Sequence, residues 1–463
     1  MVEALREAER DSGVSGLLAR ASVIGVVPVV SWRYHDPAQL VAAAVGASPS
    51  ERWYPSMGGN TPQLLVNRAA SSILVGDCDV ALVTGGESYR TRQLLRRSGQ
   101  HPDWTKQGDG DVPTWGDAQK LDMGHPAEAA VGVFMPTSCY PLFESALRHQ
   151  AGRTAAEQAV FIGDLWAGFS QVAARNPYAW NAVEYTSAQI SEVTPANRVI
   201  GFPYTKHMVS NPDVDMASGA IIMSASTADD LGVPRDRWVF VWSGTDGQDP
   251  YLSERPSMST SSSMRVAGNA ALELAGVGID DIAHLDVYSC FPSAVEIACA
   301  ELDIDVTRQL TVYGGLPFAG GPWNNPVGHA IAAMVGVLRE DAGSVGLVTA
   351  NGGNIQKHAF GVYSGEPPRA GRFQHAHPQF AIDAAEAKVE VVQGYEGPAV
   401  MESFTVMHER DGSRSRAHGT LRTPDGRRAW GVSSAPDLME LFEVEDVIGR
   451  SATLAADAEL TLD

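Results

Sequence analysis

Apolar and polar positions follow three rhythms along the chain. Residues 2–10 carry apolar side chains at helical spacing and predict an amphipathic helix closed near Gly13. Residues 23–30 (VIGVVPVV) form an unbroken apolar run of buried-strand length. Residues 37–45 return to helical spacing. Gly58-Gly59-Asn60-Thr61-Pro62 predicts a helix start, with Thr61 as N-cap and Pro62 at the first helical position. That helix runs to about residue 75. Gly76-Asp77 then turns into a strand over 80–84 that ends in Gly85-Gly86-Glu87.

Residues 90–200 differ, being rich in Trp, His, Pro and Asp, with helical patterns over 140–148 and 155–176. They read as a long insertion that carries a binding surface. Strands over 215–224 and 238–242 follow. The second half then repeats the first rhythm. A helix over 264–275 leads to a strand over 283–287, the turn Tyr288-Ser289-Cys290-Phe291-Pro292 and a helix to about residue 302. A Gly-rich loop from Gly314-Gly315 to Gly328 enters a helix over 329–338. The last strand of this half, 345–350, ends in Asn351-Gly352-Gly353. The two halves share a pattern and not letters.

The third rhythm is short alternation over 388–392, 399–408, 416–422, 428–432 and 452–454. Turn signals at Arg410-Asp411-Gly412 and Pro424-Asp425-Gly426 lie between these runs. The predicted organisation is an α/β first half over 1–245, containing the insertion, a second half over 246–370, and a small all-β, barrel-like domain over 379–463.

Charge narrows the function. A formal charge of −21 lowers the prospect of nucleic-acid or membrane-surface partners. Residues 409–428 carry six arginines, yet the β-domain as a whole is acidic, so that row reads as a solvated hairpin face. The four cysteines, Cys78, Cys139, Cys290 and Cys299, have no CxxC spacing and predict a reducing, cytoplasmic location. No apolar run has the length of a membrane span. His101, His125, His375 and His377 lack ligand spacing, so no metal is assigned.

The Gly-Gly pairs fall at strand ends and helix starts, where open α/β sheets bind ligands and backbone N–H groups hold oxygens. Gly59, Asn60, Gly320, Gly321, Asn351, Gly352 and Gly353 are therefore the candidate substrate-binding positions. The plainer reading of each glycine is a turn that needs φ > 0.

These segments, in this order, resemble the thiolase superfamily over residues 1–365. The carrying residues are Gly76-Asp77 through Gly85-Gly86-Glu87-Ser88, Tyr288-Ser289-Cys290-Phe291, Gly314-Gly315 with Gly320-Gly321-Pro322, and Ala350 through Gly353. The likeness extends to its sterol-carrier-protein-2-type branch, and the added β-domain looks like the thiolase-like proteins called type 1. The resemblance implies two related halves in five layers, α-β-α-β-α, with the site between them. It also implies a first strand ahead of the opening helix. That strand is missing here, so the resemblance implies an unpaired sheet edge and reduced stability.

The resemblance also implies where the reacting groups should stand, and this chain departs at each place. The nucleophilic Cys position falls at Gly59 or Asn60. The activating His of Gly-His-Pro falls within Gly320-Gly321-Pro322. The second Cys falls at Ala350 or Asn351, and the motif that binds the substrate oxygen begins with Tyr288. Glycine forms no thioester, so thiolase activity is expected to be absent. In a branch that breaks carbon–carbon bonds by retro-aldol chemistry a Tyr occupies the Tyr288 position, and a phenol there serves as general acid or base. That branch works with an OB-like barrel partner. His358 is the second candidate catalytic residue; its plainer reading is a surface or strand histidine. Lys206, His207 and His329 read as solvated.

Three readings result. The first is a divergent thiolase fold that binds an acyl-CoA-type thioester, with no other cofactor. The second is a lyase that uses Tyr288 on a β-hydroxyacyl-CoA. The third is a non-catalytic scaffold or interaction protein. The oligomeric state is open between monomer and homodimer.

Overall fold

A computed structural model describes residues 1–108, 110–118 and 123–463. Its centre is two sheets. The first runs Glu51–Trp53, Val23–Val26, Val80–Ser88, Asp215–Met223 across the sheet. The first three strands are parallel and the last is antiparallel to its neighbour. The second runs Gln374–Ala376, Phe240–Gln248, Lys357–Ser364, Val345–Gly352, His284–Asp286. Here too a parallel pair, His284–Asp286 and Val345–Gly352, is followed by an antiparallel neighbour, Lys357–Ser364.

The helices Thr61–Leu74 and Pro326–Glu340 fill the space between the sheets and touch both. Leu65, Val66 and Ala69 of the first face apolar core, while its Asn67 donates to the carbonyls of Thr245 and Phe360 at 3.2 and 3.3 Å. Val2–Ser12 and Pro37–Val45 cover the outer face of the first sheet, and Ser262–Ala275 packs outside the second. This is the five-layered, two-half arrangement that the resemblance implied.

The halves differ at one flank. The second sheet has Phe240–Gln248 beyond its antiparallel strand. Beyond Asp215–Met223 the first sheet has no strand among the described residues. The opposite edge of the first sheet is covered by the chain itself. Thr114 N–H donates to the Arg52 carbonyl at 2.8 Å, and Tyr54 N–H to the Trp115 carbonyl at 2.9 Å. Arg68 is held over the rings of Trp53 and Trp115, 4.8 and 4.0 Å from their centroids.

The C-terminal domain is centred on Gly397–His408, which pairs with Arg414–Arg422 on one side and Ser451–Leu454 on the other. Arg428–Ser433 and Leu460–Leu462 complete the path. The ladder does not close; a single bridge, Val432 to Glu459, links its two ends. The domain is β-rich rather than all-β, since the helices Gln379–Ala385 and Pro436–Val444 accompany it. Met407 pairs with Gly201, so the short strand Val199–Gly201 of the insertion joins this sheet. The domain is pinned to the core by the fully buried Arg428. That side chain pairs with Glu402 at 2.6 Å and donates to the carbonyls of Ser253 and Arg255 at 2.9 and 2.6 Å. Arg414, Arg422 and Arg427 are also matched, by Glu443, Glu402 and Asp425. Acids from the neighbouring strand, the helix Pro436–Val444 and the hairpin turn thus neutralise much of the arginine row.

Some elements depart from the sequence reading. The strand Lys357–Ser364 is fully buried, but Lys357, His358, Gly361 and Ser364 break the apolar run that marks such strands in the sequence. Residues 388–392 make one isolated bridge, Val391 to Arg428, and no strand. The N-cap of the central helix is Asn60, one residue before the expected Thr61. The expected boundary at 245/246 falls inside the strand Phe240–Gln248.

Candidate functional site

The site lies where the C-terminal end of Val345–Gly352, the turn after His284–Asp286 and the N-terminus of Thr61–Leu74 converge. Tyr288 N–H donates to the Thr349 hydroxyl at 2.9 Å, which fixes the turn. The ring then points at Gly59. A Cβ at Gly59 would overlap the Tyr288 hydroxyl and stand 2.5 Å from the Asn351 carbonyl oxygen. Only glycine fits this approach, and the reason is space rather than φ. Gly352 is equally confined, with a Cβ there standing 2.6 Å from Asn60 Oδ1 and 2.8 Å from Gly58 Cα.

Tyr288, Asn351 and His358 line one void together with Thr349, Met264 and Phe360; its volume is about 10 Å³. That is about one probe sphere, the minimum for a single water. Polar atoms of its lining are under-used: Asn351 Oδ1 and His358 Nδ1 are buried and have no hydrogen-bond partner, and the same holds for Asn60 Oδ1 beside Gly58 and Gly352. Asn351 Nδ2 donates to the Tyr140 hydroxyl at 3.1 Å, and the Tyr140 ring stacks on Phe291 at 4.3 Å.

His358 is 1% exposed and stands on a buried strand, which overturns the surface alternative. Its Nε2 faces Asp249 Oδ2 at 3.1 Å and the Ile355 carbonyl at 3.3 Å. Two acceptors at Nε2 place a proton there, and Nδ1 is left without a hydrogen-bond partner. Asp249 is itself held by Arg255 at 3.3 Å, the Ser261 hydroxyl at 2.5 Å and Ser263 N–H at 2.9 Å. Burial would raise the Asp249 carboxyl, but the Arg255 charge and the bond to His358 outweigh it and hold it at about 2. The Ile355 carbonyl that Arg255 and His358 share belongs to a backbone in left-handed conformation over Gly353, Asn354 and Ile355, with φ of 58°, 52° and 60°. For a β-branched residue this is strained.

Burial pushes the Tyr288 phenol well above its ordinary value, with Cys290 adding to it. It keeps its proton at neutral pH and is a donor, not a base. Burial likewise pushes the Cys290 thiol up to about 12, so no thiolate is available there. All four cysteines are buried and unpaired.

The remaining candidates lie elsewhere. Gly320 packs against Met216 and Trp180, and Gly321 against Ser210 and Asn211. Gly353 begins the strained turn. Asn324 joins the two halves, accepting from Gly58 N–H and donating to the Pro28 carbonyl, both at 3.0 Å. His329 is not a solvated helix-start residue. It stacks on Tyr313 at 5.7 Å, and burial lowers its ring to about 4. His207 packs on Tyr185 at 4.8 Å. Sequence reading missed Asp249 and Arg255; Asp249-Pro250 and Arg255-Pro256 look like ordinary turn dipeptides. No group of residues able to hold a metal ion occurs among the described residues. No described helix is long and apolar enough to cross a membrane.

Residues 379–459 match the family described as the thiolase-like protein type 1 additional C-terminal domain. The whole chain is similar to a crystal structure described as a monomeric SCP2-thiolase-like protein type 1 from Mycobacterium smegmatis. Identity is 28% over 100% of this chain and 95% of that one, with a TM-score of 0.84. An acetyl-CoA acetyltransferase from Syntrophomonas wolfei is similar over 79% of this chain and 92% of its own length. With 16% identity and a TM-score of 0.54, that likeness speaks to the fold alone. The resemblance read from the sequence thus holds along the whole chain.

Proposed function

We propose that this thiolase-fold chain performs no covalent acyl transfer and acts as a non-catalytic interaction protein. One observation carries the reading. The Tyr288 hydroxyl and the Asn351 carbonyl fill the space beside Gly59, where even a Cβ would overlap them. Neither a cysteine side chain at Gly59 nor a thioester beside it has room. The monomeric state given for the Mycobacterium smegmatis protein supports a monomer here, as does the covering of the Glu51–Trp53 edge by residues 112–116. Four cysteines without a disulfide support a reducing, cytoplasmic location.

A second reading has its own support in the Asp249–His358 pair. If the centre opens, His358 Nδ1 takes the β-hydroxyl proton of a hydroxyacyl thioester as the carbon–carbon bond breaks. Tyr288 donates to the resulting enolate oxygen, and the proton on His358 returns to carbon.

Calorimetry with CoA, acetyl-CoA and a β-hydroxyacyl-CoA separates these readings. The expected result is no saturable heat from a folded sample. Saturable binding without turnover would instead make this an acyl-CoA-binding protein. Turnover abolished by Tyr288→Phe with folding intact would establish the lyase.

A further inference from the structure

Residues 252–256 lie between the strand Phe240–Gln248 and the helix Ser262–Ala275. They offer five successive backbone carbonyls, and each accepts a hydrogen bond from the C-terminal domain. Arg428 Nη1 donates to those of Leu252, Ser253 and Arg255, at 3.2, 2.9 and 2.6 Å. Val389 N–H donates to that of Glu254 at 2.9 Å, and Arg422 Nη2 to that of Pro256 at 2.8 Å. The Trp430 indole N–H adds a bond to the Ser253 hydroxyl at 2.9 Å. Arg428 directs its remaining donors to Glu402, with Nε and Nη2 both at 2.6 Å. Trp430 and Val432 pack in the large apolar core that includes the second sheet, and not in the core of their own domain. A carbonyl shut away from water without a donor is costly, so the conformation of this segment depends on the domain that supplies the donors.

The same segment reaches the centre. The backbone oxygen of Arg255 faces the C-terminal domain, while its buried guanidinium points the other way. Nη1 donates to the Ile355 carbonyl, and Nη2 donates to Asp249 Oδ2 at 3.3 Å and to the Thr260 carbonyl at 2.7 Å. Asp249 Oδ2 in turn holds His358 Nε2 at 3.1 Å. Two buried guanidinium groups therefore stand on either side of the segment, each matched by a carboxylate, Arg255 by Asp249 and Arg428 by Glu402. We propose that the C-terminal domain clamps the centre: by gripping residues 252–256 it fixes Arg255, and through Arg255 it fixes Asp249, the strained turn at Ile355 and the His358 ring. Arg428 is the positioning residue of this clamp. A guanidinium is a rigid planar fork, so a shift of the Arg255 backbone moves all its bonds together. Ser261 and Ser263 also hold Asp249, so losing the clamp loosens the ring and does not release it. The clamp acts on His358 whether or not the centre takes a ligand, and so stands or falls apart from the function proposed above.

A chain of bonds does not by itself establish coupling, so the coupling is what the test measures. In the full chain with isotope-labelled histidine, the His358 ring signal is assigned by its absence in His358→Gln. Arg428→Lys keeps a charge beside Glu402 but loses the fork that reaches the carbonyls. Exchange of the His358 Nε2 proton with solvent is expected to be about tenfold faster in Arg428→Lys and about threefold faster in Trp430→Phe. Arg414→Ala breaks the pair with Glu443 at the other end of the strand Arg414–Arg422 and should leave that exchange unchanged. In urea unfolding, the effects of Arg428→Lys and Asp249→Asn should not add in the double variant. Exchange at the wild-type rate in a folded Arg428→Lys protein overturns the proposal, and additive effects overturn it as well. Equal acceleration in Arg414→Ala also overturns it, since general loosening of the domain would then be responsible. Should Arg428→Lys fail to fold, Trp430→Phe measured against Arg414→Ala decides by the same criterion.

Discussion

The centre of the molecule and its flank divide between them what a ligand site combines. The centre has the reactive side chains, Tyr288 and the Asp249–His358 pair, but a void of about 10 Å³. The flank has a cavity of about 540 Å³ lined by Glu87, Asp103 and Asp215, but no nucleophile. The difference follows from packing. At the centre two sheets and two helices press on the site from opposite sides. At the flank, among the described residues, no strand pairs with the outer side of Asp215–Met223. Chemistry without space suits a fixed structural joint.

The strongest way to break this contrast is to restore a side chain at the centre. Gly59→Ala is expected to lower stability by about 3 kcal/mol, because neither the Tyr288 hydroxyl nor the Asn351 carbonyl can move freely. Urea unfolding of the variant measures this. Adding Tyr288→Ala should recover part of the loss and not all of it, since the Asn351 carbonyl stays. A Gly59→Ala protein as stable as wild type would mean that the centre opens easily.

A smaller effect tests how the centre is held. The Asp249 carboxyl is depressed to about 2 from an ordinary value of 3.8. A depressed carboxyl contributes stability above its unfolded value and loses it as pH falls through the folded one. About 2 kcal/mol is therefore expected to disappear between pH 4 and pH 2. In Asp249→Asn that part of the acid limb should flatten, and parallel profiles for variant and wild type would remove the pair from the account.

The least perturbing measurement concerns the two flanks themselves. Amide exchange read by mass spectrometry should be about 100-fold faster at the outward amides of Asp215–Met223 than in Lys357–Ser364, which is paired on both sides. Equal protection would indicate that something covers the open edge in solution.

Much of this fold was legible in the chain. Residues 23–30 and 80–84 announced buried strands, Gly58 through Pro62 announced a helix start, and Gly-Gly pairs marked the strand ends. The alternation after residue 379 announced a separate β-rich module. The strand Lys357–Ser364 escaped because Lys357, His358, Gly361 and Ser364 interrupt the apolar run that marked the equally buried strand Val345–Gly352. His358 carried a surface or strand reading beside the catalytic one; the structure keeps the strand and removes the surface. The arginine row of the C-terminal domain was visible, but Glu402, Asp425 and Glu443, which neutralise much of it, are matched to it only by folding. The insertion read as a binding surface, yet one of its strands completes the C-terminal sheet.

The sequence by itself determined the added domain and the absence of a cysteine at Gly59, because periodicity, turn chemistry and residue identity are local properties; the two-half architecture was implied by its resemblance to a known family. Only the tertiary structure decided that Tyr288 fills the space beside Gly59, that Asp249 orients His358, and that the open volume lies at the sheet flank. Those three facts depend on contacts between residues far apart in the chain, and distances of that kind leave no periodic trace in a single sequence.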